Sequence, residues 1–308
     1  YLCYLQKLLA IKFVMRDRNL DIYRGGIRIY ITCFSHLVWW EGAKVGVFDR
    51  GWVSAALFSM AIIFYIAGAS FSLTSEKPYW VYIRTRVKKI VIPYWKYALF
   101  CFPAVLAYYW KHGGIIPLGD FVSYVLFTPP VEHRIFDHLW FLSPYLLISL
   151  CLPMLFKSIC KYRIPFIVYG ACLILLLLFK QYYPELIQTA IVYMLFTVWG
   201  LYYKRNLGWQ NVACVVAAIG YLAYVFGIEK VPFDIQANKF PPNLLFVSYC
   251  LVVLGLGGSY MKKGIVALYD KSAIVRRYID IYSREGYDIY FVHAFSTLLL
   301  GGFKRALG

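Results

Sequence analysis

Apolar runs long enough to cross a bilayer alternate with short basic segments along almost the whole chain. The runs fall at about 27–42, 51–73, 90–110, 137–156, 164–180, 185–203, 208–227, 243–260 and 287–302. Each approaches the roughly 20 residues that a helix needs to span a hydrocarbon core about 30 Å thick. The pattern predicts an all-α fold, a polytopic transmembrane helical bundle of about nine to ten spans. Residues 1–20 read as an amphipathic or leader segment and 21–308 as a single transmembrane domain, because no internal repeat, low-complexity tract or long polar linker divides the rest. Phe64 to Ser70 is a run with small residues, which lets neighbouring backbones approach closely. The segment 74–89 is expected to be a basic loop, 262–284 a basic segment on the same, inner side, and Pro93 is expected in the first turn of the third span.

Composition narrows the class. With 61% hydrophobic and 20% aromatic residues and a mean hydropathy of +0.62, the chain is a membrane protein and not a soluble enzyme. The net charge of +17 is then a topology signal and does not point to nucleic acid. Twenty-one of the 32 Lys and Arg fall in segments that this path puts on one side of the membrane. The positive-inside rule makes that side cytoplasmic and sets the amino terminus inside a cytoplasmic (inner) membrane, with 111–137 and 228–242 external. The eight cysteines are scattered with no CxxC and no metal-like Cys/His spacing. No A-x-A site follows the start YLCYLQKLLAIKFV, which reads as an interfacial helix.

The first run carries an unusual polar stripe. Arg28, Thr32 and His36 stand at i, i+4 and i+8, on one narrow face of a helix expected to begin near Gly26. That start puts His36 roughly 15 Å in, near mid-membrane. A titratable ring at that depth faces protein or water, as a core histidine bonded to a neighbouring helix or as a functional group. Trp39 and Trp40 close the run as an interfacial pair. A second intramembrane histidine, His293, sits in the last run, about 9 Å above its expected start at 287. His138 and Trp140 open the fourth run, at the expected outer mouth, either as belt residues or as a sugar-binding pair. His112 and His133 lie in the outer loop and carry no case. Glu132 and Asp137, also there, read as solvated carboxylates or acceptor contacts.

Taken in order, these stretches resemble acyltransferase family 3, integral membrane O-acyltransferases that acylate envelope glycans. The residues that carry the resemblance are Asp21 to Gly25 followed by His36, Phe64 to Ser70, Arg86 to Lys89 leading into Ile92 to Trp95, His138 to Leu142, and Gly286 to His293. Three features depart from the family pattern. Eleven residues separate Arg24 from His36 where the family usually has ten, an offset that unwinding at Gly25-Gly26 would absorb or that Arg28 would bypass. Lys89 stands where the family usually has arginine, which exchanges a bidentate phosphate grip for a point charge. The family usually has a tenth helix, and this sequence ends at Gly308.

The resemblance implies transfer of an acyl group, most simply acetyl, from cytoplasmic acyl-CoA through the membrane domain to a glycan hydroxyl outside. His36 is then the candidate base, since an imidazole suits proton transfer near neutral pH. Arg24 or Arg28 would hold the thioester or stabilise charge on its carbonyl oxygen, and His293 would orient His36, contact the donor or satisfy the core. Arg84, Arg86, Lys88 and Lys89 are the candidate coenzyme A site, or topology signals alone, and His138 and Trp140 the candidate acceptor site. Acetyl-CoA or another acyl-CoA is the donor substrate, with no metal. The expected partners are the donor, the glycan and the bilayer, without nucleic acid; a homodimer and a separate extracytoplasmic acyltransferase partner both fit. A transporter or flippase of a polysaccharide or lipid-linked precursor is the alternative, but it would show paired halves with interrupted helices, which the sequence lacks. A non-catalytic membrane sensor would need no histidine on the stripe.

Overall fold

The computed structural model describes residues 17–36, 50–74, 78–127, 134–205 and 207–306. Residues 1–16 of the leader expected at 1–20, the Trp39-Trp40 pair, and loop residues Glu132 and His133 lie outside the described residues. Among the described residues the backbone is helical and has no β-strand, with an isolated bridge between Lys239 and Pro242.

In chain order the helices are α1 (Arg18–Ile29), which runs on as a π-turn (Tyr30–His36), α2 (Arg50–Ser54) and α3 (Ser59–Ser72), joined by a 3-10 turn. Next come α4 (Tyr79–Lys111), α5 (Leu118–Val125), a 3-10 turn (Arg134–Leu139) and α6 (Leu142–Tyr162). Then follow α7 (Phe166–Leu178), α8 (Glu185–Leu201), α9 (Trp209–Ala223) with a π-turn to Ile228, α10 (Leu244–Val252), a π-turn (Val253–Gly257), α11 (Gly258–Lys271) and α12 (Ala273–Ala306). Among the described residues five stretches are long and apolar enough to cross a membrane: Gly51–Ser72, Tyr79–Lys111, Leu142–Tyr162, Trp209–Ile228 and Leu244–Lys271. With the shorter apolar α7 and α8, and with α1 and α12, they account for the nine apolar runs. The protein is an all-α polytopic membrane bundle.

The helices gather into two compact units, residues 1–77 with 151–284, and 78–150 with 285–308. In the first, α3 and α8 meet at two glycines. A Cβ on Gly68 would come within 1.9 Å of the Thr197 carbonyl oxygen, and one on Gly200 within 2.0 Å of that of Tyr65. The missing side chains let the backbones touch, and Phe64 stacks on Tyr193 at 4.5 Å beside the contact. Lipid tails are as apolar as the helix faces, so close van der Waals packing of this kind takes over much of what the hydrophobic effect does in water. In the second unit, Tyr94 donates from α4 to the Tyr124 carbonyl at 2.7 Å, and its ring packs on Phe127 and Phe136.

Three local expectations are corrected. Helix α1 begins at Arg18, eight residues before Gly26, because the Asp17 carboxylate accepts the Leu20 amide at 3.1 Å and caps it. Gly25 and Gly26 stay helical; their missing Cβ atoms admit the Ile279 carbonyl and the Ile265 side chain. The expected basic loop before the third span is helix from Tyr79, so Pro93 lies well inside α4, as does Pro103. Membrane helices tolerate internal prolines because neighbouring helices, hydroxyl side chains and local adjustments of the turn satisfy the carbonyls that the proline frees. Residues 262–284 are two helices, parted at Ser272, whose extended backbone and side chain cap α12 through the Val275 amide.

Candidate active site

The first group of candidate residues lies along α1. Asp17 anchors the helix start. Burial works against its charge, but hydrogen bonds from Tyr203 at 2.7 Å and from the Leu20 amide, with Lys262 nearby, outweigh that and lower its pKa. Two helical turns on, Arg24 is held by the Asp21 carboxylate at 2.9 Å and by the Ser70 hydroxyl of α3. Arg28 donates to the carbonyls of Tyr282 at 3.0 Å and Ser283 at 3.2 Å on α12. Thr32 is buried and donates to the Arg28 carbonyl at 3.0 Å, with the Tyr282 hydroxyl 3.4 Å from its oxygen.

The extra residue between Arg24 and His36 is taken up at Tyr30–His36, not at the glycines. Twelve α-helical steps of about 100° would leave the two roughly 120° apart. A π-turn closes i→i+5 bonds and so absorbs about one residue more than an α-turn. The pair then stands as after about eleven steps, roughly 20° apart. The backbone therefore puts Arg24, Arg28, Thr32 and His36 on one face. The His36 side chain lies outside the described residues.

The second group joins two histidines that the sequence placed at different depths. His293 sits twenty residues into α12, about 30 Å from its start by the helical rise, because the helix begins at Ala273 and not near 287. His138 lies in the 3-10 turn before α6 and is only 2% exposed, so it is no belt residue. The two rings are 5.2 Å apart, edge to face. Tyr290, one turn before His293, donates to the His138 carbonyl at 2.9 Å and packs on both rings. His293 Nδ1 meets the Tyr290 carbonyl. A carbonyl only accepts, so Nδ1 carries the proton and the lone pair of the neutral ring is on Nε2. Trp140 is half-buried, edge-on to Phe141.

A family model described as an acyltransferase domain matches residues 20–308. The chain belongs to this acyltransferase family. No curated protein and no solved structure matches it.

In this membrane acyltransferase the four candidate cations in the first three turns of α4 split into two pairs. Arg84 and Lys88, at i and i+4, are exposed on one side of the helix. Arg86 and Lys89 lie roughly 150° around from them by the helical repeat. Arg86 turns inward over the Tyr82 ring, 5.2 Å from its centroid, while Lys89 stays exposed. Among the described residues no group of three His, Cys, Asp or Glu side chains is placed to hold a metal.

Sequence reasoning did not single out Ser70, Tyr282 or Tyr290 as site residues. The first two had no local signal, since their bonds to Arg24 and Thr32 join distant parts of the chain. Tyr290 had one, standing three residues before His293 and so adjacent on a helix surface.

Proposed function

We propose that this acyltransferase moves an acyl group, acetyl in the simplest case, from cytoplasmic acyl-CoA to a hydroxyl of an extracytoplasmic glycan. Family membership supports acyl transfer, and the return of His36 to the face of Arg24 and Arg28 supports the finer reading, because it aligns a base with two cations in the first helix. The acceptor oxygen attacks the thioester carbonyl and its proton passes to the His36 imidazole. As the C–S bond breaks, the proton goes on to the departing thiolate, giving an ester and free coenzyme A. Arg24, oriented by Asp21 and Ser70, stabilises charge on the carbonyl oxygen. The test is release of free thiol by the purified protein from acetyl-CoA, with and without candidate saccharides. Release that depends on a saccharide supports the reading. Donor consumption that never depends on a saccharide, with no acylated product, overturns it.

Arg86 and Lys89 are the phosphate contacts of the donor in this proposal. Replacing both by alanine is expected to weaken coenzyme A binding by about 1–3 kcal/mol, as a charge-assisted contact predicts. Titration calorimetry at two salt concentrations checks it, since the wild-type affinity should also fall with salt. Unchanged affinity in the double variant would leave these residues as topology signals.

The charge asymmetry supports an inner-membrane orientation with the start of α4 inside. A cysteine placed at position 88, with the native cysteines removed, is expected to resist an impermeant thiol reagent added to intact cells. Labelling from outside would reverse the orientation.

A further inference from the structure

Beside the first turns of α1, where α11 and α12 come up against it in the first unit, the surface opens into a hollow of about 470 Å³. That volume falls within the range of small-molecule sites. Arg18, Asp21, Tyr269, Asp280, Ser283 and Arg284 line it, with Ile22 and Ile279 as its apolar part. Its two guanidinium groups are matched by two carboxylates, so the hollow as a whole favours neither an anion nor a cation.

What it offers is unused hydrogen bonding. The Ser283 hydroxyl oxygen is buried and has no partner among the described residues. The Asp280 carboxylate accepts the Tyr269 hydroxyl at 3.0 Å through Oδ1, which leaves Oδ2 without a partner among the described residues. Arg284 is exposed and gives one N–H to the Asp280 carbonyl at 3.4 Å, and a guanidinium has four more. Neutral overall, yet rich in separate donors and acceptors, the lining matches a chain of amide groups joined by short apolar links.

The hollow also adjoins both cations of the α1 stripe. Asp21, on its α1 wall, holds Arg24 at 2.9 Å, and Ser283, on its α12 wall, takes Arg28 on its carbonyl at 3.2 Å. Asp21 and Arg28 are seven residues apart, so they lie within about 20° of each other around α1 and roughly 10 Å apart along it. A ligand seated in the hollow and continuing along that face brings its far end to Arg24 and Arg28.

We propose that the hollow holds the amide-bearing pantetheine arm of the acyl-CoA donor, with the thioester end towards Arg24 and Arg28. The proposal rests on the acyl-CoA reading above and adds the surface that carries the arm. Amide N–H groups donate to the Asp280 carboxylate, amide carbonyls accept from Ser283 and Arg284, and the methylenes lie against Ile22 and Ile279. The balanced charge does not draw the phosphates of the donor into the hollow.

The experiment uses the intact protein in nanodiscs and an acetyl-CoA analogue with a photoreactive diazirine in its pantetheine arm. Crosslinks are expected within 18–22 and 279–284. S-acetylpantetheine, which has the arm and no phosphate, should compete with them, and the nucleotide half of coenzyme A alone should not. Asp280→Asn keeps an oxygen for Tyr269 and Ser283→Ala removes only a hydroxyl, so both should unfold at the wild-type temperature. Each is expected to raise KM for acetyl-CoA while kcat stays close to wild type, by about tenfold for Asp280→Asn, the effect of one hydrogen bond to a charged group. Competition by the nucleotide half but not by S-acetylpantetheine would make the hollow a phosphate site, and competition by an acceptor saccharide would make it an acceptor site; either overturns the proposal. Crosslinks confined to other residues, or a wild-type KM in both variants, overturn it too, and leave the acyl-CoA reading standing where saccharide-dependent thiol release persists. Absence of both crosslinks and thiol release overturns the two together.

Discussion

Replacing His36 by alanine is expected to cut acyl transfer by roughly 10²–10⁴-fold, the usual worth of a general base, while folding and donor binding persist. The expectation rests on the face it shares with Arg24, Arg28 and Thr32 and on the chemistry of the step. A neutral imidazole takes the acceptor proton at a pH where a carboxylate is too weak a base and a lysine is already protonated. His36→Gln sharpens the result, since an amide keeps the hydrogen bonding but cannot accept a proton near neutrality. Turnover is read as saccharide-dependent thiol release, beside coenzyme A affinity and thermal stability. A Gln variant that acylates at close to the wild-type rate would make His36 structural. The base would then be sought at the other imidazole pair, where His293 carries its lone pair on Nε2 and Tyr290 holds His138 in place. His293→Gln and His138→Gln in the same assay decide between those two.

The largest loss of stability is expected at the α3–α8 crossing. In an exposed helix, glycine to alanine gains up to about 1 kcal/mol. At Gly200 the sign should reverse, because the new methyl would stand 2.0 Å from the Tyr65 carbonyl oxygen and 2.7 Å from the Ala69 nitrogen, both rigid backbone. The helices must part, and overpacking of this kind costs about 1–3 kcal/mol or more. Gly200→Ala should therefore lower the melting temperature by several degrees, and Gly200→Leu should abolish the folded protein. Gly220 on α9 is the control, since a Cβ there meets nothing within 4 Å. Equal melting temperatures for Gly200→Ala and Gly220→Ala would refute the close crossing.

Much of this fold is legible from hydropathy alone. Spans such as 164–180, 185–203 and 208–227 match α7, α8 and α9 to within a few residues, because each is bounded by proline, glycine or paired charges that also end the apolar run. The basic segments were less legible. A run of Arg and Lys looks like a loop to a hydropathy reading, yet nothing between Tyr79 and Ile92 breaks a helix, and only the cap at Ser272 interrupts the stretch after Gly258. The site was legible as residue types but not as partnerships. His138 and His293 are 155 positions apart, and their contact depends on where α12 begins, which a charge pattern does not disclose. The tie of Arg24 to Ser70 was hidden in the same way, inside a run whose small residues explain packing alone.

The π-turn at Tyr30–His36 changes what a residue count means in the first helix. Faces are set by turns completed, and a wider turn swallows a residue without adding rotation, so a spacing of eleven does here what ten does in a plain α-helix. The turn acts as a length buffer. A residue lost inside it, which would return the π-turn to plain α-helix, leaves the backbone positions of Arg24 and His36 on one face. The same change at Gly25 or Gly26 would swing the glycines off Ile279 and Ile265 and force side chains into contacts that have no room for them. The helix thus has one stretch where its length is free to vary and, a few residues earlier, one where it is not. Signatures for such helices are better counted in turns than in positions.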